Sequence, residues 1–179
     1  PGLFPMEGHP WTDHLARLLR NEVAREISQT SDDDTIHVVA ANWRAASLLS
    51  QSPVRAGEHP LYDVAWRIYP ADGEQLLAQP LAVECVWKGG WPALARGCDR
   101  LAQARAEVKL ITAMDDPNSK VGEMTLAEAC AFRMNAFAPA GDRLTMAFYG
   151  SGSKDSWRNA PGFSLFDYVT GERQVSERS

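Results

Sequence analysis

Two carboxylates set among apolar neighbours, Asp63 and Glu84, are this chain's candidates for a catalytic or metal-binding site. Asp63 lies in LYDVAWRIY (61–69) and Glu84 in LAVECVWK (81–88), both runs with the period-two alternation of a strand. A carboxylate on such a run is costly to bury unless a metal, a proton or an opposite charge meets it. Basic side chains follow at once. Between 87 and 109, Lys88, Arg96, Arg100, Arg105 and Lys109 face only Asp99 and Glu107, a local charge of +3 in a chain of net charge −5. Acids on neighbouring strands with cations close by are what metal-assisted phosphodiester hydrolysis requires. Hard cations such as Mg²⁺ or Mn²⁺ take carboxylate oxygens and keep bound waters. The metal activates one such water and, with a nearby cation, spreads the charge of the transition state. On this reading Asp63 and Glu84 hold the metal, and Glu22 reaches it from an upstream helix. Arg100 or Lys88, with Lys109 as a further candidate, neutralises the phosphate.

Helices and strands in chain order account for where these groups would stand. Thr12 is a candidate N-cap, and Leu15, Leu18, Leu19, Val23 and Ile27 recur at helical spacing, predicting an amphipathic helix over Thr12–Ser28. Glu22 sits beside that stripe, where a solvated helix acid is the competing reading. Gln29–Thr35 is a turn whose three aspartates lack calcium-loop spacing. Ile36–Ala40 is either a short strand or the lead into a helix running to Leu49, and Gln51–Pro60 is a loop. In 61–69, Tyr62, Val64, Trp66 and Ile68 share one face and Asp63, Ala65 and Arg67 the other. In 81–88, Leu81, Val83, Cys85 and Trp87 form an apolar face opposite Ala82, Glu84, Val86 and Lys88. The short connection through the turn Pro70–Glu74 predicts an antiparallel pair. Gly89-Gly90 and Pro92 end the second strand. A helix over Ala93–Glu107 follows, apolar at Leu94, Cys98 and Leu101 and polar at Arg96, Arg100 and Gln103. A strand at Val108–Met114, a loop to Gly122, a helix at Leu126–Phe137, a turn and a strand at Arg143–Tyr149 complete the pattern. After a polar loop at Gly150–Trp157, Phe163–Val169 reads as an edge strand. The expected architecture is one α/β domain over 12–170, a mixed central sheet flanked by helices. Residues 1–11 read as a tag remnant or disordered start, with Met6 as a natural first residue, and 171–179 as a disordered tail.

In this order of elements and acids the chain resembles the PD-(D/E)XK nuclease superfamily, the restriction-endonuclease-like fold, over roughly Glu22 to Tyr149. The resemblance implies that Asp63 and Glu84 are the metal-binding acids. It also implies that Glu22 matches the helix acid of resolvase-like members, that Mg²⁺ or Mn²⁺ is the cofactor and that nucleic acid is the substrate. The superfamily's signature lysine, two residues after the second acid, falls here on Val86, and Tyr62 rather than Pro precedes Asp63. Lys88 lies about 13 Å farther along an extended strand from Glu84. Arg100 is the better-placed substitute, able to stabilise charge but not to act as a base. Two functions follow: a metal-dependent nuclease, or a non-cleaving module of the same fold that binds a protein or DNA partner. A third reading is an unrelated α/β domain in which Glu84 pairs with Arg67 or Arg100.

Composition narrows the alternatives. At 179 residues, 45% hydrophobic and 23% charged, the chain is an ordinary globular sequence with enough length for a core. Its negative net charge gives no global basic field toward nucleic acid, so a DNA-binding role would need a local groove. The cations are 14 Arg and 4 Lys, a bias toward fork-like recognition of phosphate or carboxylate. Cys85, Cys98 and Cys130 lack zinc spacing and read as reduced, cytoplasmic thiols. Ser47, Ser50 and the histidines His9, His14, His37 and His59 form no triad pattern, although His37 and His59 flank the strand region. No apolar run is long enough to span a membrane. Trp91, beside Gly-Gly and the Arg-bearing helix, is a candidate for stacking on a base or anchoring a partner. A homodimer is compatible with all of this.

Overall fold

The computed structural model describes residues 10–30, 35–41, 44–47, 62–71, 75–114, 116, 118–149, 163–172 and 175–178. Residues 1–9 of the expected start at 1–11, the loops at 51–60 and 150–157, and His59 lie outside these residues, while residues 10 and 11 are helical. The chain divides into two units, Pro1–Ala82 and Val83–Ser179.

In the first unit, helix α1 spans Pro10–Thr30. Proline suits the first turn of a helix because the N–H it lacks would have no partner there. Among its described side chains the buried ones are Thr12, Ala16 and Val23, with Leu15 and Leu19 half-buried and Leu18 47% exposed. The inward face is therefore rotated away from the leucine stripe, and Thr12 is a buried helical residue rather than a cap. Strand β1 spans Thr35–Ala41 and carries α1. Its β-branched residues, Thr35, Ile36, Val38 and Val39, favour extended backbone, so the alternative of a helix toward Leu49 does not hold. β2 (Arg44–Ser47) and β3 (Val64–Pro70) pair antiparallel with β1 on its two sides, Val39 lying opposite both Ala46 and Trp66. β4 (Ala78–Val86) begins beside β3, where the Leu77 N–H donates to the Ile68 carbonyl at 2.9 Å. The order in this unit is β4-β3-β1-β2. Tyr62 and Asp63 form a bend before β3, so Asp63 stands ahead of the strand expected to contain it.

The second unit begins within β4 and continues with helix α2 (Gly90–Ala102) and strand β5 (Val108–Ala113). A small hairpin follows, β6 (Lys120–Val121) with β7 (Met124–Thr125), leading into helix α3 (Leu126–Asn135). β8 (Arg143–Tyr149), β9 (Phe163–Val169) and β10 (Ser176–Arg178) close the chain. The order is β10-β9-β8-β5-β4. β5 and β8 are parallel, while β9 is antiparallel to both β8 and β10, so the sheet is mixed and the class is α/β. α2 packs on β5 and α3 over a core that includes Leu94, Leu101, Ile111, Met134 and Met146. β9 is not an edge, because part of the expected tail, Ser176–Arg178, pairs with it. Among the described residues no helix is long and apolar enough to cross a membrane.

Candidate functional site

Glu84 lies in the second unit, on the face of β4 that α2 covers. Along β4, Ala82, Glu84 and Val86 are all buried, whereas Cys85 and Trp87 are only half-buried. The sequence had suggested the reverse, with the Cys85 and Trp87 face as the more apolar one. The reason is Gly97. A side-chain carbon there would lie 3.2 Å from Ile111 Cδ1, 3.5 Å from Val86 Cγ2 and 3.6 Å from Glu84 Cβ, so α2 approaches the strands closely on this side. The approach is set up at Gly89, the residue before the helix, whose φ of 100° lies in the left-handed region that glycine adopts at little cost.

Three residues beyond Gly97, on the same side of α2, Arg100 reaches down to Glu84. Its Nε donates to Oε1 at 2.9 Å and its Nη2 donates to Oε2, a two-pronged fork of the strong charge-assisted kind. The side chain of Glu84 is 1% exposed and that of Arg100 is 53% exposed. The carboxylate is sealed under the helix while the guanidinium keeps one side in water, as a long basic side chain allows.

The other sequence candidates are placed as follows. Val86, at the position of the signature lysine, belongs to the buried side of β4. Lys88 is exposed beyond the end of the strand. Lys109 is fully buried and ion-paired with Asp142, which removes it from any surface that could meet a phosphate. In the first unit, Glu22 is exposed and ion-paired with Arg25 one turn along α1, and Asp63 is half-buried in its bend. His37 takes a hydrogen bond from Trp66 Nε1 on Nδ1 at 3.2 Å, with Thr35 Oγ1 3.3 Å from Nε2, a structural role. Trp91 is half-buried in the first turn of α2.

Three features of the second unit escaped the sequence reading. Arg133 of α3 grips Asp99 of α2, Nε to Oδ1 at 2.6 Å and Nη2 to Oδ2 at 2.7 Å. Arg133's hydrogen bonds and charge hold the Asp99 carboxyl below its usual range. Beside this fork the buried Cys98 faces Cys130, and the hydrogen bond from that neighbour, with burial, pushes the Cys98 thiol well up, which keeps it unreactive. At the start of α3, Thr125 and Glu128 form a reciprocal capping box, the Glu128 N–H donating to Thr125 Oγ1 and the Thr125 N–H to the Glu128 carboxylate. These bonds hold the Glu128 carboxyl low. The Thr-x-x-Glu signature was visible in the sequence. The partners of Asp99 and Lys109 were not, being more than thirty residues distant.

Among the described residues no three His, Cys, Asp or Glu side chains come together as a metal-holding group. With both Glu84 oxygens taken by Arg100, the described residues do not fit a resident divalent cation. Compared with known proteins, the chain matches no family model, no curated protein and no solved structure.

Proposed function

We propose that this chain is a non-cleaving, nuclease-like α/β module that binds a protein or nucleic-acid partner. One observation carries the reading: the acid expected to hold a catalytic metal is sealed by a bidentate guanidinium. A cation approaching Glu84 would have to displace Arg100 from a carboxylate that is 1% exposed. Val86 supports the same reading, since a buried valine stands where a cleaving member would carry its lysine. The resemblance to restriction-endonuclease-like proteins that supports this reading rests on chain order: α1, then after β1 and β2, β3 with Asp63 just ahead of it, β4 with Glu84, α2 and β5. The partner-facing groups on this reading are the exposed side of Arg100 and, next to it in sequence, the Trp91 and Arg96 end of α2.

The second reading is the Mg²⁺- or Mn²⁺-dependent nuclease, with Asp63, Glu84 and Glu22 as acids and Arg100 or Lys88 as the cation. The half-exposure of Arg100 favours it, because a guanidinium reachable from solvent can meet a phosphate. Incubating the purified chain with supercoiled plasmid, single-stranded DNA and RNA, each with Mg²⁺ and with Mn²⁺, separates the two. The proposal expects no cleavage above background in wild type, Asp63→Ala or Glu84→Ala. Metal-dependent cleavage by wild type that both variants lose would establish the nuclease instead.

A further inference from the structure

A cleft of about 850 Å³ opens in the second unit, between α3 and the β9–β10 end of the sheet, and neither Glu84 nor Arg100 lines it. Its volume falls within the range of sites that enclose small organic ligands. The walls are aromatic: Phe132 of α3, Phe166 and Tyr168 of β9. Phe132 is 66% exposed, an unusual placement for a phenyl ring on a helix that buries six of its ten residues. Around these rings stand Glu128, Glu172 and Glu177, and the described lining contains no Lys, Arg or His. Lys120 acts on Glu128 through its charge but is not part of the wall. Rings present a negative face to a cation, and the carboxylates at the rim add attraction, with no positive side chain in the described lining to offset it.

We infer that this cleft is a binding site for an organic cation, an ammonium or guanidinium carried on an apolar stem. The stem lies against Phe132 and Phe166, and the charged head reaches Glu172 and Glu177. Glu128 keeps its negative charge to unusually low pH because its carboxylate caps α3, so its share of the field persists in mild acid. At the end of β9 the frame is fixed by bonds that do not use the side chains of Glu172 and Glu177. The Tyr168 hydroxyl donates to the Glu172 carbonyl at 3.1 Å, and the Gly171 N–H donates to Asn135 Oδ1 at 2.9 Å, tying the end of β9 to the end of α3. Two sources supply this chemistry: a free amine, or a Lys or Arg side chain in a peptide. The inference does not depend on whether the chain cleaves nucleic acid.

The test is a titration of the isotope-labelled full chain followed by amide chemical shifts. The probes are phenethylammonium, its uncharged counterpart 2-phenylethanol, and an acetylated, amidated Leu-Arg-Leu-Arg-Leu peptide. The expected result is saturable shifts at amides of 125–135 and 166–172 with a cationic probe, and at least tenfold weaker binding of the alcohol. Glu172→Gln/Glu177→Gln, which touches no hydrogen bond that holds the frame, should weaken the cations at least fivefold and leave the alcohol unchanged. Tighter binding of the amine assigns a small-molecule ligand, and tighter binding of the peptide assigns a basic segment of a partner. Equal binding of alcohol and amine, no binding by either cation, or indifference to the double substitution would overturn the inference.

Discussion

Removing Arg100 leaves the Glu84 carboxylate buried without its fork, and that asymmetry decides what substitutions here should do. A fully buried pair that loses one partner costs about 3–5 kcal/mol. Because Arg100 is half in water, part of the loss is screened, and Arg100→Ala should cost about 2–3 kcal/mol. Replacing both residues by methionine removes the stranded charge along with its partner and should cost less than Arg100→Ala alone. Urea unfolding of the two variants checks this. An Arg100→Ala chain as stable as wild type would mean that the fork contributes nothing. The presence of an acid needing a partner was legible from Glu84's apolar surroundings, and Arg100 was among the partners expected. What could not be read was which face of β4 is deeper. Val83 and Val86 are both buried, so the alternation carried no contrast, and the choice was made by Gly97 bringing α2 onto the Glu84 side.

At the scale of elements, α2 is held from two directions, by its close approach at Gly97 and by the Asp99–Arg133 fork to α3. Gly97→Ala asks only the flexible end of Ile111 to shift, whereas Gly97→Val adds bulk that the strands cannot take. It should cost about 1–3 kcal/mol in urea unfolding. A variant of unchanged stability would contradict the close packing. The fork to α3 has a pH signature. Asp99's carboxyl is held low in the folded chain, so its contribution is present above its unfolded pKa, about 3.9, and is lost as pH falls through the lower folded value. The stability gap between wild type and Asp99→Asn should therefore be constant from neutral pH down to about 4 and close below it. Glu128 is lowered as well, so the comparison belongs in a Glu128→Gln background. A gap that stays constant to the acid limit would contradict the fork. Element boundaries followed local signals where those existed: β8 was read at Arg143–Tyr149, as found. α2 was read as starting three residues late and running five residues too far, because 103–107 contains no Gly or Pro stop. The helix ends instead as the Gln103 and Ala104 N–H groups bond back to Arg100 and Leu101, with Ala104 buried. β10 was missed because three polar residues, Ser176 to Arg178, show no hydrophobic alternation, and their pairing with β9 is a matter of backbone alone.

For the whole molecule, the class α/β with a mixed sheet was readable from the succession of periodicities. The division between Ala82 and Val83 was not, since it falls inside a strand with no linker or change of composition to mark it. The candidate acids are distributed accordingly, Glu22 and Asp63 in the first unit and Glu84 in the second. The central claim is that Glu84 serves an ion pair and not a metal. Calorimetric titration of the full chain with MnCl₂ addresses it most directly, with Glu84→Gln beside wild type. The account predicts no saturable heat in either protein. One Mn²⁺ bound per wild-type chain, and none in Glu84→Gln, would contradict it.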